Sequence, residues 1–212
     1  MSIKEARAQT ANAAEFYARP EIVEELEEVA AEVRAFLMAN RKRTDPRGNL
    51  TGEGGPWMPQ LPPTDDEDRL DVRWSQFRQS LYGNGMRRML NVMIDRQILA
   101  EKAYEDIGRF TDFACMGLHE ELVGAALAKN GNTINLESLK ARFELAEGNN
   151  TTTLRDRTVV PMATAGLLKV YIDEGNRYAI SIGQVAMTFH NHVFSPVRKV
   201  FRPQFLALEA VK

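Results

Sequence analysis

Cysteine is nearly missing from this chain of 212 residues, with Cys115 the only one. A single thiol excludes an internal disulfide and a cysteine-ligated metal cluster. Cys115 lies among Phe113, Met116 and Leu118 in a helical pattern, where a free thiol behaves as a small hydrophobe. Histidine is scarce as well, and the three present make no ligand set. His190 and His192 are two apart and diverge on a helix, and His119 has no partner histidine four residues on. No metal and no cofactor are expected. Gly83-Asn84-Gly85 lacks the third glycine and the lysine-serine pair of a phosphate-cradling loop. Neither a nucleophile elbow nor a triad is present, so nothing in the sequence argues for an enzyme.

Long apolar runs are also lacking. No stretch approaches the ~20 apolar residues of a membrane span, and the first twenty residues hold no run of signal-peptide length. The expectation is a soluble, cytoplasmic chain without a membrane partner. Neither sign of charge dominates: Lys and Arg number 27 and Asp and Glu 29, for a net charge of −2. Nucleic-acid binders usually show a basic excess, at least locally, so the overall charge gives DNA binding no support.

The 44% of apolar residues are arranged largely at helical spacing. Residues 1–19 are small and polar around Phe16 and Tyr17, and read as an arm that docks elsewhere or frays. Pro20 opens a helix, as proline suits the first turn. Ile22, Leu26, Val29, Val33 and Phe36 then alternate at four and three, the spacing of a coiled-coil seam. Residues 44–66 hold five prolines and four glycines, which prevents a regular element. Helical character resumes over 67–82, and Gly83-Asn84-Gly85 is expected to break or kink it. Met86 to Ile107 is strongly periodic, with Met86, Met89 and Met93 as core filler. Thr111 is a plausible N-cap for a helix that stops at Asn130-Gly131.

The rest of the chain is organised around residues 133–183. Thr133-Ile134-Asn135 is extended, and Leu136, Leu139 and Phe143 share a helix face. Glu147 to Asn150 is turn chemistry. Thr151, Thr152 and Thr153 cap a second helix that buries Leu154, Val159 and Met162 and ends at Gly166. Pro161 falls inside that helix, where it removes a hydrogen bond and clashes with the carbonyl four residues back. The helix must therefore kink, or split so that Pro161 sits in the first turn of a second piece. Leu167 to Ile172 is a strand, residues 173–176 a hairpin tip, and Arg177 to Ile180 the return strand. Ser181 is placed to cap a helix from Ile182 to about Phe194.

Helix, turn, helix and two-stranded ribbon, in that order, predict a mostly α fold with a winged helix-turn-helix, a small β-hairpin and flanking dimerisation helices. The second helix of such a unit enters the major groove. Hydroxyls and backbone N–H groups at a helix start are phosphate ligands, which points to Asn150, Thr151, Thr152 and Thr153. Arg155 and Arg157 lie on the same helix. Arg177 follows the hairpin tip, where a wing reaches the minor groove or backbone. Lys140 and Arg142 lie on the preceding helix, two apart, so they do not face one phosphate row. Residues 133–183 carry six basic and six acidic side chains.

In its helix containing Leu139, the Asn150-Thr151-Thr152-Thr153 turn, Ala165-Gly166-Leu167-Leu168, the short charged wing, and Ile180-Ser181 leading into a long helix, the stretch resembles the MarR family of transcription regulators. The resemblance covers about 90 residues. It implies a winged-helix DNA-binding domain over 111–195. It also implies a homodimer joined through helices around 21–40, 86–107 and 184–210, double-stranded DNA as partner, and a small-molecule effector that no residue names. The remaining segments read as an N-terminal helical arm (1–43), a Pro/Gly-rich linker (44–66), a helical dimerisation or scaffold region (67–110) and a C-terminal helical tail (196–212). The alternatives are a winged-helix protein-interaction adaptor and a plasmid or phage replication-partition protein.

Overall fold

The apolar spacing that predicts helices is realised as helices wherever the computed structural model describes the chain, which is residues 1–40, 67–108, 134–135, 155–172, 174 and 178–206. In order these are α1 (Ile3–Tyr17), α2 (Pro20–Asn40), α3 (Glu67–Asp95), α4 (Glu101–Gly108), β1 (Ile134–Asn135), a π-helical turn (Arg155–Val159) running into α5 (Val160–Thr164), β2 (Leu168–Ile172), β3 (Tyr178–Ile182), α6 (Gln184–Phe189), a second π-helical turn (His190–Phe194) and α7 (Ser195–Leu206). The described residues are mostly helical, with one small antiparallel sheet of order β1-β3-β2. No described helix is long and apolar enough to cross a membrane. Two compact units divide the chain, Met1–Leu26 with Met93–Thr188 and Glu27–Val92 with Phe189–Lys212. Each is assembled from separated stretches, whereas the sequence reads as consecutive segments.

In the first unit, residues 1–19 do not fray: of the two readings of this arm, docking is the one found. Ser2 caps α1 in a reciprocal box with Glu5, the Glu5 N–H donating to Ser2 Oγ at 3.2 Å and the Ser2 N–H to Glu5 Oε2 at 2.7 Å. Two orphan N–H groups of the first turn are thereby satisfied. α1 buries Ala6, Thr10, Ala13 and Tyr17 and packs on α5 and β2. Thr10 lies on this buried face because its hydroxyl donates back to the Ala6 carbonyl at 2.9 Å.

The periodic stretch from Met86 to Ile107 is not one helix. α3 stops at Asp95, and Gln97 takes a left-handed φ of 61°. The Ile98 N–H donates to Met93 O at 2.8 Å and the Gln97 N–H to Ile94 O at 2.9 Å. That is the Schellman pattern of helix termination, with its usual apolar contact supplied by Ile98 and Met93, which are both buried. Gly166 ends α5 in the same way at φ +73°, with the Leu167 N–H on Met162 O at 2.9 Å and the Gly166 N–H on Ala163 O at 3.0 Å.

The hairpin pairs Leu168 with Ile182 through Ile172 with Tyr178. The return strand thus runs two residues further than expected. Ser181 sits in it opposite Lys169 rather than capping a helix, and the helix starts at Gln184. β1 joins the far side of β3, Ile134 opposite Ile180.

In the second unit, α2 buries Val29, Ala30, Val33 and Leu37. The seam turns onto Leu37, while Phe36 is left half-buried beneath the Arg88 guanidinium at 4.4 Å. α3 runs through Gly83-Asn84-Gly85 without a break. Gly85 is where the helix meets its neighbours closely: a Cβ there would stand 2.9 Å from the Phe189 ring and 3.4 Å from Leu37. Tyr82 meets Phe189 and Phe194 edge-on, each at 5.2 Å between centroids. Met86, Met89 and Met93, the last from the first unit, are all buried.

Candidate functional site

The helix expected to read DNA is described from Arg155 onward. Asn150, Thr151, Thr152, Thr153, Lys140, Arg142 and Arg177 lie outside the described residues, as do Cys115 and the helix capped at Thr111. Of the kink and the split left open at Pro161, the second is found. The chain takes a wide π-helical turn over Arg155–Val159 and restarts as α5 with Pro161 in the first turn. There a missing N–H costs nothing, and the turn before it relieves the clash with the carbonyl four residues back. A π-turn inside a helix often marks a functional position.

The split also decides which side chains reach solvent. Thr158, Val159, Met162 and Ala163 are buried, and the Thr158 hydroxyl is buried without a hydrogen-bond partner. Arg155 was expected to face DNA, but it is only 4% exposed. Its Nε donates to Asp156 Oδ1 at 2.6 Å and its Nη2 to the Met1 carbonyl at 2.6 Å. A guanidinium committed in this way positions α1 against the helix and has no donor face turned to a phosphate. Burial pushes the Asp156 carboxyl up, but the hydrogen bonds and charge of Arg155, together with the Met1 ammonium 3.4 Å away, outweigh it and hold it below the usual range. Arg157 is exposed.

On the hairpin, Lys169 and Tyr171 alternate onto the exposed face of β2, with the Lys169 ammonium 5.5 Å from the Tyr171 ring. Tyr171 is 53% exposed. Sequence reasoning did not single out these two residues. The signal was the period of two in Leu168-Lys169-Val170-Tyr171, which sends Lys169 and Tyr171 to one face.

Beside the helix lies an open cavity of about 1150 Å³. Its walls are α1, the turn leading into α4, and the Asp156–Thr164 side of the split helix. Residues 157, 160, 161 and 164 follow one helical stripe along it, and residues 9, 12, 13 and 16 of α1 follow another. The two helices run the same way, with Met1 beside Asp156 and Tyr17 against Gly166. Among the described residues no group of three or more His, Cys, Asp or Glu is placed to hold a metal ion. No family model, curated protein or solved structure matches the chain.

Proposed function

We propose that residues 111–195 form a winged helix-turn-helix and that the chain is a DNA-binding transcription regulator, acting as a homodimer. The observation that carries this reading is the order of the sheet. β1 lies beside β3, and the helix that ends at Thr164 passes directly through Gly166 into β2. That arrangement fixes the second helix and the hairpin on one small scaffold, the geometry a major-groove reader with a wing requires. Arg157 on the helix and Lys169 on the wing are the described cations exposed for phosphate. Asn150, Thr151, Thr152, Thr153 and Arg177 supply the remaining contacts. Arg155 is withdrawn from that set by its burial.

Selection of bound sequences from a random duplex library tests the reading. A dimer of such units enriches two half-sites one helical turn, or a multiple of it, apart. A library that emerges with no enriched sequence contradicts it.

A second reading is favoured by the burial of Arg155 and the exposed Tyr171: a winged helix that contacts protein instead of DNA. In that case Tyr171 acts as an aromatic anchor. Tyr171→Ala then abolishes partner capture, while DNA is not bound at any salt concentration.

A further inference from the structure

The π-helical turn over Arg155–Val159 is held in place against a penalty. Thr10 and Thr164 stand on α-helical backbone, and each donates its hydroxyl to the carbonyl four residues back at 2.9 Å. Thr158 stands inside the π-turn. It is only 5% exposed and its hydroxyl has no partner. A buried donor left unpaired opposes the form that contains it. An α-turn would offer Thr158 the same back-bond that Thr10 and Thr164 make.

What offsets this penalty comes from α1. Arg155 Nη2 donates to the Met1 carbonyl and Nε to Asp156 Oδ1, each at 2.6 Å. One buried guanidinium thus ties the start of α1 to the start of the split helix. Burial holds that end of α1 only weakly. Of residues 1–5 Ile3 alone is half-buried and the others are exposed. The buried face further along is Ala6, Thr10, Ala13 and Tyr17, three of them small, and the open cavity runs along its flank. Segments with few buried apolar contacts open first.

A π-turn holds one residue more than an α-turn. Its relaxation turns the residues ahead of it by roughly 100° about the axis, the step of one helical residue. Arg155 stands at its start, so it leaves the face that packs on α1. We propose that the first turn of α1 is an autoinhibitory clasp: it keeps Arg155 withdrawn, and its release lets the π-turn relax and brings Arg155 to a phosphate, a regulation that rests on the DNA-binding reading of this helix. The two arrangements of one turn supply the two-state element that such coupling needs.

Fluorescence anisotropy with a labelled random duplex at low salt measures the cost of Arg155→Gln in two backgrounds, wild type and Asp156→Asn. The comparison cancels the charge change at position 156. In wild type the lost phosphate contact is offset by the opened clasp, and affinity changes less than about threefold. In Asp156→Asn the clasp is already weakened, and the same substitution costs about tenfold. Circular dichroism establishes that each variant folds.

Hydrogen exchange of the wild-type chain gives the reciprocal test and needs no variant. The Glu5 N–H donates to Ser2 Oγ and the Ala6 N–H to the Ser2 carbonyl. A duplex that binds the open form must favour it, so saturating duplex speeds exchange at these two amides at least about threefold, the first turn fraying once it leaves its dock. Equal cost of Arg155→Gln in both backgrounds overturns the clasp and leaves the DNA reading standing. So does exchange at Glu5 and Ala6 that bound duplex leaves unchanged or slows. Failure of both wild type and Asp156→Asn to bind duplex overturns the DNA reading and the clasp with it.

Discussion

Gly183 runs its backbone directly against the carbonyl of Gly166, and a Cβ at 183 would overlap that oxygen. The Gly183 N–H donates to Leu167 O and the Val185 N–H to Gly166 O, both at 3.0 Å. Two glycines thus fasten the end of the helix to the end of the hairpin. Gly183→Ala forces this junction apart, and Gly166→Ala adds a left-handed φ to contacts with Tyr17 and Val185. Each is expected to lose roughly 1–3 kcal/mol in urea unfolding. Unchanged midpoints contradict the junction.

Gly85 gives a second test, in the other unit. An exposed helical glycine gains up to about 1 kcal/mol on replacement by alanine. At Gly85 the new methyl meets the fully buried Phe189 ring at 2.9 Å. Gly85→Ala is therefore expected to destabilise, by about 1–2 kcal/mol, and a stabilised variant would mean the helices do not meet there.

Arg155 and Arg157 are expected to separate cleanly, although they are two residues apart in the sequence. Arg155→Ala removes the partner of Asp156 and of the Met1 carbonyl and costs about 1–3 kcal/mol in thermal or urea unfolding. Arg157→Ala is an exposed change and leaves stability within about 0.5 kcal/mol. Equal destabilisation by both would refute the different burial of the two side chains.

His190 makes stability pH-dependent in a predictable direction. Burial, with the nearby Arg198 charge, holds the imidazole below its ordinary value of 6.5, and its Nδ1 is buried without a partner. The unfolded chain takes up the proton first as pH falls, so stability drops below about pH 6.5 and levels off only beneath the folded ring's own lower value. Unfolding midpoints measured between pH 7.5 and 5 show that slope, and His190→Gln reduces it. A variant with the wild-type slope would place the pH dependence elsewhere.

Much of the helical content was legible because apolar period and caps act locally. Gly166 as a stop and the methionines as core are both properties of nearby residues. Gln97 escaped because a left-handed glutamine carries no sequence signature, so α3 and α4 read as one helix. Gly83-Asn84-Gly85 misled for the opposite reason: tertiary contact of Phe189 with Gly85 outweighs glycine's local preference. Proline chemistry made an irregularity at Pro161 legible but left a kink and a split both open; the π-helical turn over Arg155–Val159 that resolves it has no sequence signature. The burial of Arg155 was not legible either, since it depends on Met1, which is 154 residues away in sequence. The cavity was equally hidden, because α1, α4 and α5 meet only in the fold.

The central claim, a winged helix that holds duplex DNA, is tested most directly by the salt dependence of binding. Fluorescence anisotropy of a labelled random duplex is followed from low to physiological ionic strength, with wild type and with Arg157→Ala, Lys169→Ala. The account predicts measurable affinity at low salt that falls steeply as salt rises. The double variant should bind more weakly, with a log–log slope shallower by about 4 for the dimer, roughly one for each of the four lost phosphate contacts. No binding at low salt, or a slope unchanged in the double variant, would contradict it.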